Sequence, residues 1–133
     1  MNMKTIEIKN CTNNRDNLFK VFVNGEKHVV RFRTKIQVPD DKPFEIRVKY
    51  FWGGSLKYTF EPKDNMSLQI SINRRMMNWS LVSFIAGLVL SFVIVYFYGN
   101  VRFISFASCL APLFLAIHQS INRKKFFLIK EVV

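Results

Sequence analysis

The chain has 133 residues, 20 Lys or Arg against 9 Asp or Glu, a formal net charge of +11, and half of its residues are hydrophobic. That length holds one modest domain and little more, and the basic balance points to an anionic partner, either nucleic acid or a membrane surface. Two cysteines in different surroundings, Cys11 and Cys109, exclude a disulfide framework, and without a CxxC, a His pair or an acidic cluster no metal or cofactor site is expected.

The charge is not spread evenly. Residues 1–78 hold fifteen Lys or Arg and eight Asp or Glu, a net of +7, whereas residues 79–121 hold Arg102 alone. Residues 122–133 return to a net of +3, with Arg123, Lys124, Lys125 and Lys130 against Glu131. An apolar block beside these cations favours a membrane surface over nucleic acid. The first twenty residues lack the apolar stretch of a signal peptide, so residues 1–78 are expected to stay in the cytoplasm.

From residue 4 to residue 72 apolar and polar positions alternate with the period of a strand. TIEIK puts Ile6 and Ile8 on one face. LFKVFV runs into Asn24-Gly25, a two-residue hairpin signal, because both turn positions then need positive φ. KHVVRF returns, RTKIQV leads into the breaker-rich PDDKP, and FEIRVKY alternates Phe44, Ile46, Val48 and Tyr50 with Glu45, Arg47 and Lys49. FWGGS turns the chain, LKYTF alternates again, and SLQISI closes the run with Leu68, Ile70 and Ile72. Six or seven short antiparallel strands, with turns every eight to twelve residues, predict a cytoplasmic β-sandwich over residues 1–72.

KVFVNGEKH followed by IQVPDDKPFEIRVKY resembles the PEGA-type β-sandwich module, in which a strand ends in a V-N/D-G hairpin and a P-x-G-x-[YH]-x-V-x-V strand follows. It is similar to small bacterial proteins that carry such a module ahead of one or more membrane spans, with a corner like FWGGS after the last long strand. Here Lys42-Pro43 stands where the module has glycine. The resemblance covers about residues 4–72 and implies a binding or anchoring role without catalytic residues.

Residues 73–78 read as a basic juxtamembrane linker. WSLVSFIAGLVLSFVIVYFY, residues 79–98, has no charge and at helical rise covers about 30 Å, the thickness of a bilayer's hydrocarbon layer. Trp79 at one end and Tyr96 and Tyr98 at the other suit the two interfaces. Gly99 and Asn100 suit a tight reversal within a loop at 99–102, and FISFASCLAPLFLAIHQSI, residues 103–121, forms a second span with Pro112 near its middle. The class is therefore an α+β membrane protein, a β-sandwich followed by a two-helix transmembrane hairpin. Arg74 and Arg75 before the first span, and Arg123, Lys124 and Lys125 after the second, place both termini in the cytoplasm at the cell's inner membrane. Ser83, Gly87 and Ser91 form one small-residue stripe and Ser108, Pro112 and Ala116 another; the two are expected to face each other, the rival being that the first meets another subunit. The tail at 122–133 either lies in the interface or returns to the sandwich as an edge strand, which is preferred.

Arg31, Arg33 and Lys35 share one face of an extended segment, and Arg47 and Lys49 are candidates to join them on a neighbouring strand. With Trp52 they form a possible partner surface, set against the plainer reading of a solvated outer face. Tyr50, Phe51, Trp52 and Tyr58 have the makings of a base-stacking cluster, but a core-edge corner is preferred. Ser80, Ser83 and Ser91 lack a His and carboxylate within their span, so no nucleophilic site is expected and the chain reads as non-enzymatic. The partners expected are the lipid bilayer and another membrane protein or a second copy of the chain. The function expected is protein recognition as an accessory or scaffold subunit; the alternatives are an anionic-lipid sensor or an oligomeric pore or transport component.

Overall fold

The computed structural model describes residues 2–51, 53–99 and 101–132. The chain divides into two compact units, Met1–Asn73 with Arg123–Val133, and Arg74–Asn122. It is α+β: nine strands in two sheets, and helices that include two segments long and apolar enough to cross a membrane.

The first unit holds the strands. A four-stranded sheet has the order β4 (Arg33–Pro39), β1 (Met3–Asn10), β8 (Ser67–Ile72), β9 (Phe127–Val132). The second sheet runs β3 (Glu26–Val29), β2 (Lys20–Val23), β5 (Phe44–Tyr50), β6 (Gly53–Gly54), with β7 (Tyr58–Phe60) also paired to β5. Alternation decides what each strand buries. Ile6 and Ile8 of β1, Val21 of β2, Phe44, Ile46 and Val48 of β5, and Leu68 and Ile70 of β8 all enter one apolar cluster that draws on both sheets. Phe19, Val30 and Met66 join it from the connections, and Phe127 and Ile129 from β9. At the β2–β3 reversal Asn24 and Gly25 take φ of 50° and 85°, the left-handed backbone that the Asn-Gly pair tolerates.

Two expectations are corrected here. The strands are not all antiparallel: β1 and β8 run parallel, Ile8 opposite Leu68. After β7 the chain crosses back to the first sheet and re-enters it beside the middle of β1, with Glu7 N–H donating to the Met66 carbonyl at 2.9 Å. Lys4 holds that entry, 2.6 Å from the Asp40 carboxylate and 3.4 Å from the Pro62 carbonyl oxygen. The hydrogen bond to Asp40 raises the pKa of Lys4 above its ordinary value, against a smaller lowering by desolvation. The count also exceeds six or seven, because Gly53–Gly54 and the tail both pair. A buried polar knot fixes the loop after β1: the Asn10 amide donates to the Asn14 and Val30 carbonyls and accepts from the backbone and hydroxyl of Thr12.

The second unit is α1 (Arg74–Tyr98), α2 (Val101–Ser108) and α3 (Leu110–Ile121). Residues 74–78 are thus the first turn of a helix, not a linker, since no proline or glycine interrupts them. Nor is 99–102 all loop: α2 begins at Val101, and Asn100 lies outside the described residues. The second apolar stretch breaks at Cys109. Pro112 has no N–H for the carbonyl four residues back. Just before it, Cys109 N–H bonds the Phe106 carbonyl at 3.1 Å, and the Ser108 hydroxyl caps the Ser105 carbonyl at 2.8 Å. Cys11 and Cys109 are both free and exposed.

Candidate functional site

The helical unit departs from the β unit at Asn73 and rejoins it at Arg123, and Asn73 is bonded to the chain two and three residues beyond that return. Asn73 donates its backbone N–H to the Phe126 carbonyl and its Nδ2 to the Lys125 carbonyl, each at 2.9 Å. Ile72 of β8 then lies opposite Phe127 of β9, and the antiparallel register continues to Ser67 opposite Val132. The whole apolar segment is therefore a connection between two neighbouring strands. Lys63 reinforces the pairing from the loop before β8, 2.9 Å from Glu131, an exposed contact worth about 0–1 kcal/mol.

The same return brings cations together. A cleft of about 550 Å³ opens beside β5 and β6, lined by Arg47, Lys49 and Lys57 and by Arg123 and Lys124 of a short 3-10 helix, Arg123–Lys125. Gly54 makes this meeting possible. Its carbonyl accepts the Phe126 N–H at 3.0 Å, which ties the returning chain to β6. A Cβ on Gly54 would stand 2.7 Å from the Val48 carbonyl oxygen, so β6 can lie against β5 only without a side chain there. Gly54→Ala is expected to cost about 1–3 kcal/mol by overpacking and to raise hydrogen exchange at Phe126; unchanged exchange would refute the role given to Gly54. Phe51 at the rim is 74% exposed and holds a φ of 36°, a strained conformation for so bulky a residue. Tyr50 turns the other way, half-buried against Phe127, and donates to Asp16 at 3.3 Å. Desolvation raises its pKa above the ordinary phenol value, helped by the Asp16 charge.

The residues weighed as one possible partner surface are divided between the two sheets. Arg33 and Lys35 lie on β4 of the four-stranded sheet, whereas Arg47 and Lys49 lie on β5 of the other, so the two sets do not share a face. Arg31 precedes β4 and donates to Asn17 Oδ1 at 3.2 Å. Lys35 stands opposite Glu7, so that face carries carboxylates among its cations. Trp52 lies outside the described residues. Arg74, Arg75, Arg123, Lys124 and Lys125 are exposed, as is Trp79.

Within the helical unit Gly87 of α1 is buried, and Ser83 and Ser91 are half-buried. The facing stripe is corrected: Ser108, Pro112 and Ala116 are exposed, and Ala107, Leu110 and Ala111 are the buried positions. A shift of one residue turns a helix by about 100°, enough to carry the whole stripe off the contact. The Ser91 hydroxyl reaches the Ala107 carbonyl, 2.5 Å away, and its own Gly87 carbonyl at 2.8 Å.

Sequence reasoning also missed a contact between Ser80 and His118, with Oγ 3.1 Å from Nδ1. Ser80 Oγ also donates to the carbonyl of Met76, one turn back on its own helix, at 3.1 Å. Residues 79–121 contain no Asp or Glu to orient the ring. Among the described residues no group of three His, Cys, Asp or Glu side chains could hold a metal ion.

No protein-family model matches the chain, no curated protein matches it, and no solved structure matches it. The likeness to the PEGA-type module stands on the residues quoted above alone.

Proposed function

We propose that the chain is a non-enzymatic integral membrane protein, in which a two-helix transmembrane hairpin fixes a cytoplasmic β-sandwich at the inner face of the bilayer. Its role on this reading is protein recognition, as an accessory or scaffold subunit of a larger membrane assembly. The observation that carries the reading is the pairing of β8 with β9 across the apolar segment. A segment that begins and ends on hydrogen-bonded neighbours must return to the side it left, so it crosses an even number of times. Its 25-residue α1 is about 37 Å long, ample for one crossing.

Burial supports lipid as the surroundings of these helices. Only 11% of the apolar window of α1 and 17% of that over Ile104–Ile121 is buried within the protein, too little for helices of a water-soluble core. Leu81, Val82, Phe92, Phe106 and Ile117 are at least half exposed, a surface far more apolar than water tolerates. Helical bonding resumes past the break at Cys109, with Leu113 N–H to the Cys109 carbonyl at 3.0 Å, and the Ser108 side chain partly repairs the break, as a low-dielectric solvent demands. The flanking cations then select the cytoplasmic side for both termini.

Anchoring raises the local concentration of the β-sandwich near membrane partners without adding contacts, which suits a recognition role. Epitope tags at residues 1 and 133 are expected to be protected in intact cells and labelled only after permeabilisation. Labelling of either end from outside would overturn the topology. Native mass spectrometry of a mild-detergent extract tests the subunit role; monomer alone would count against it.

A further inference from the structure

The basic cleft at the β5–β6 corner joins two membrane-flanking cations, Arg123 and Lys124, to two that the anchor does not use, Arg47 and Lys49. Arg47 and Lys49 come from the middle of the chain and Arg123 and Lys124 from its last dozen residues, yet β6 holds both pairs against one opening. Among the described residues none of the four is in an ion pair and no carboxylate lines the cleft. Lys57, the fifth cation, is 3.4 Å from Glu45 and so has its counter-charge. The Arg47 guanidinium lies over the Phe22 ring, 5.5 Å from its centroid, but like charges gathered without an anionic partner repel, and an anion would relieve that repulsion.

We propose that this cleft binds a phosphate-bearing anion, with Arg47 and Lys49 on one side and Arg123 and Lys124 on the other. Guanidinium groups grip phosphate oxygens through paired N–H donors and the ammonium groups add point charge. A volume of about 550 Å³ accommodates a phosphate together with the glycerol or sugar that carries it. The anion has two possible sources, a phospholipid headgroup or a soluble phosphate. Two features favour the lipid. Arg123 follows Ile121, the last residue of α3, by only two positions. Phe51, held exposed on the rim at the cost of a left-handed backbone, offers a ring that the bilayer interface takes up and water does not.

The test uses the full-length chain in dodecyl maltoside. Binding is titrated by calorimetry with inorganic pyrophosphate, and separately with dioleoylphosphatidylglycerol in mixed micelles against dioleoylphosphatidylcholine. Three double variants are compared: Arg47→Gln with Lys49→Gln, Arg123→Gln with Lys124→Gln, and, as the reference, Arg33→Gln with Lys35→Gln. Saturable binding of at least one anion is expected, weakened about tenfold or more by either cleft pair and less than about twofold by the reference pair. Binding of phosphatidylglycerol that pyrophosphate does not displace identifies the lipid headgroup; binding of pyrophosphate without lipid identifies a soluble phosphate; both support the site. Saturable binding of neither anion overturns it. So does an equal loss in the reference variant, which would mean unspecific charge, or a loss confined to the Arg123 and Lys124 pair, which would mean anchoring by the tail. None of these readouts depends on which side of a membrane the termini occupy.

Discussion

Phe127→Ala is expected to destabilise the β unit by about 3–5 kcal/mol, the range for emptying a buried phenyl site, and removal of residues 126–133 is expected to abolish its cooperative unfolding. Phe127 is 1% exposed although it lies within the last seven residues. Its ring meets Phe19 edge-on at 5.4 Å between centroids and Tyr50 at 6.3 Å, contacts that add to the burial term. Ile129 two residues on is 3% exposed. Losing β9 leaves Leu68 and Ile70 without a cover on one flank and unpairs the outer edge of β8, a strand that otherwise has neighbours on both sides. The measurement is amide hydrogen exchange along Ser67–Ile72 in the full-length chain and in the truncated one, both in detergent. Lys130→Ala, exposed on the same strand, serves as the reference and is expected to change stability by less than about 0.5 kcal/mol. Protection of β8 that survives the truncation would remove β9 from the folded unit.

Much of this architecture is legible residue by residue. Period-two alternation in TIEIK, FEIRVKY and SLQISI marks strands whose inward positions, from Ile6 to Ile70, enter the core, and Asn24-Gly25 marks its hairpin. What alternation cannot carry is the identity of a strand's neighbour. The parallel pairing of β1 with β8 joins segments some sixty residues apart, and no local pattern distinguishes it from an antiparallel one. The same gap explains the divided basic surface. Arg33 and Lys35 look continuous with Arg47 and Lys49 because β4 and β5 are consecutive, but the chain changes sheet between them. The cleft was hidden for a related reason. Four of its five cations stand in the sequence as two unremarkable pairs, one on an outward strand face and one among membrane-flanking charges, and the Gly54–Phe126 hydrogen bond ties the returning segment to β6 beside the other pair. Gly53-Gly54 read as a turn, when its lack of side chains is what admits β6 against β5.

In the helical unit the residues that were legible and those that were not differ by one position, and the difference defines the second large effect. Gly87→Leu is expected to force α1 and α3 apart and to destabilise the helix pair by about 2–3 kcal/mol, the upper part of the range for overpacking. Even a methyl group at Gly87 would stand 2.6 Å from Ala111 Cα and 3.0 Å from the Leu110 carbonyl oxygen. These neighbours are backbone, so no rotamer change relieves the clash and the helices must separate. Separation also breaks the two hydroxyl links. Ser91 and Ala107 stand eight residues to either side of Gly99, Gly87 and Ala111 twelve, and Ser80 and His118 nineteen. The three contacts thus share one register about the turn, whereas matching Gly87 with Pro112 centres it half a residue later and faces the stripe outward. In lipid there is no hydrophobic drive to hold the helices together, so close backbone approach and interhelical hydrogen bonds supply the association. Ala86→Leu, at the exposed neighbouring position, adds the same side chain without touching α3 and is expected to leave the pair intact. Unfolding in sodium dodecyl sulfate, followed by energy transfer between labels near Met77 and Ile121, reports the separation directly. Equal midpoints for Gly87→Leu and Ala86→Leu would show that the two helices do not meet at Gly87.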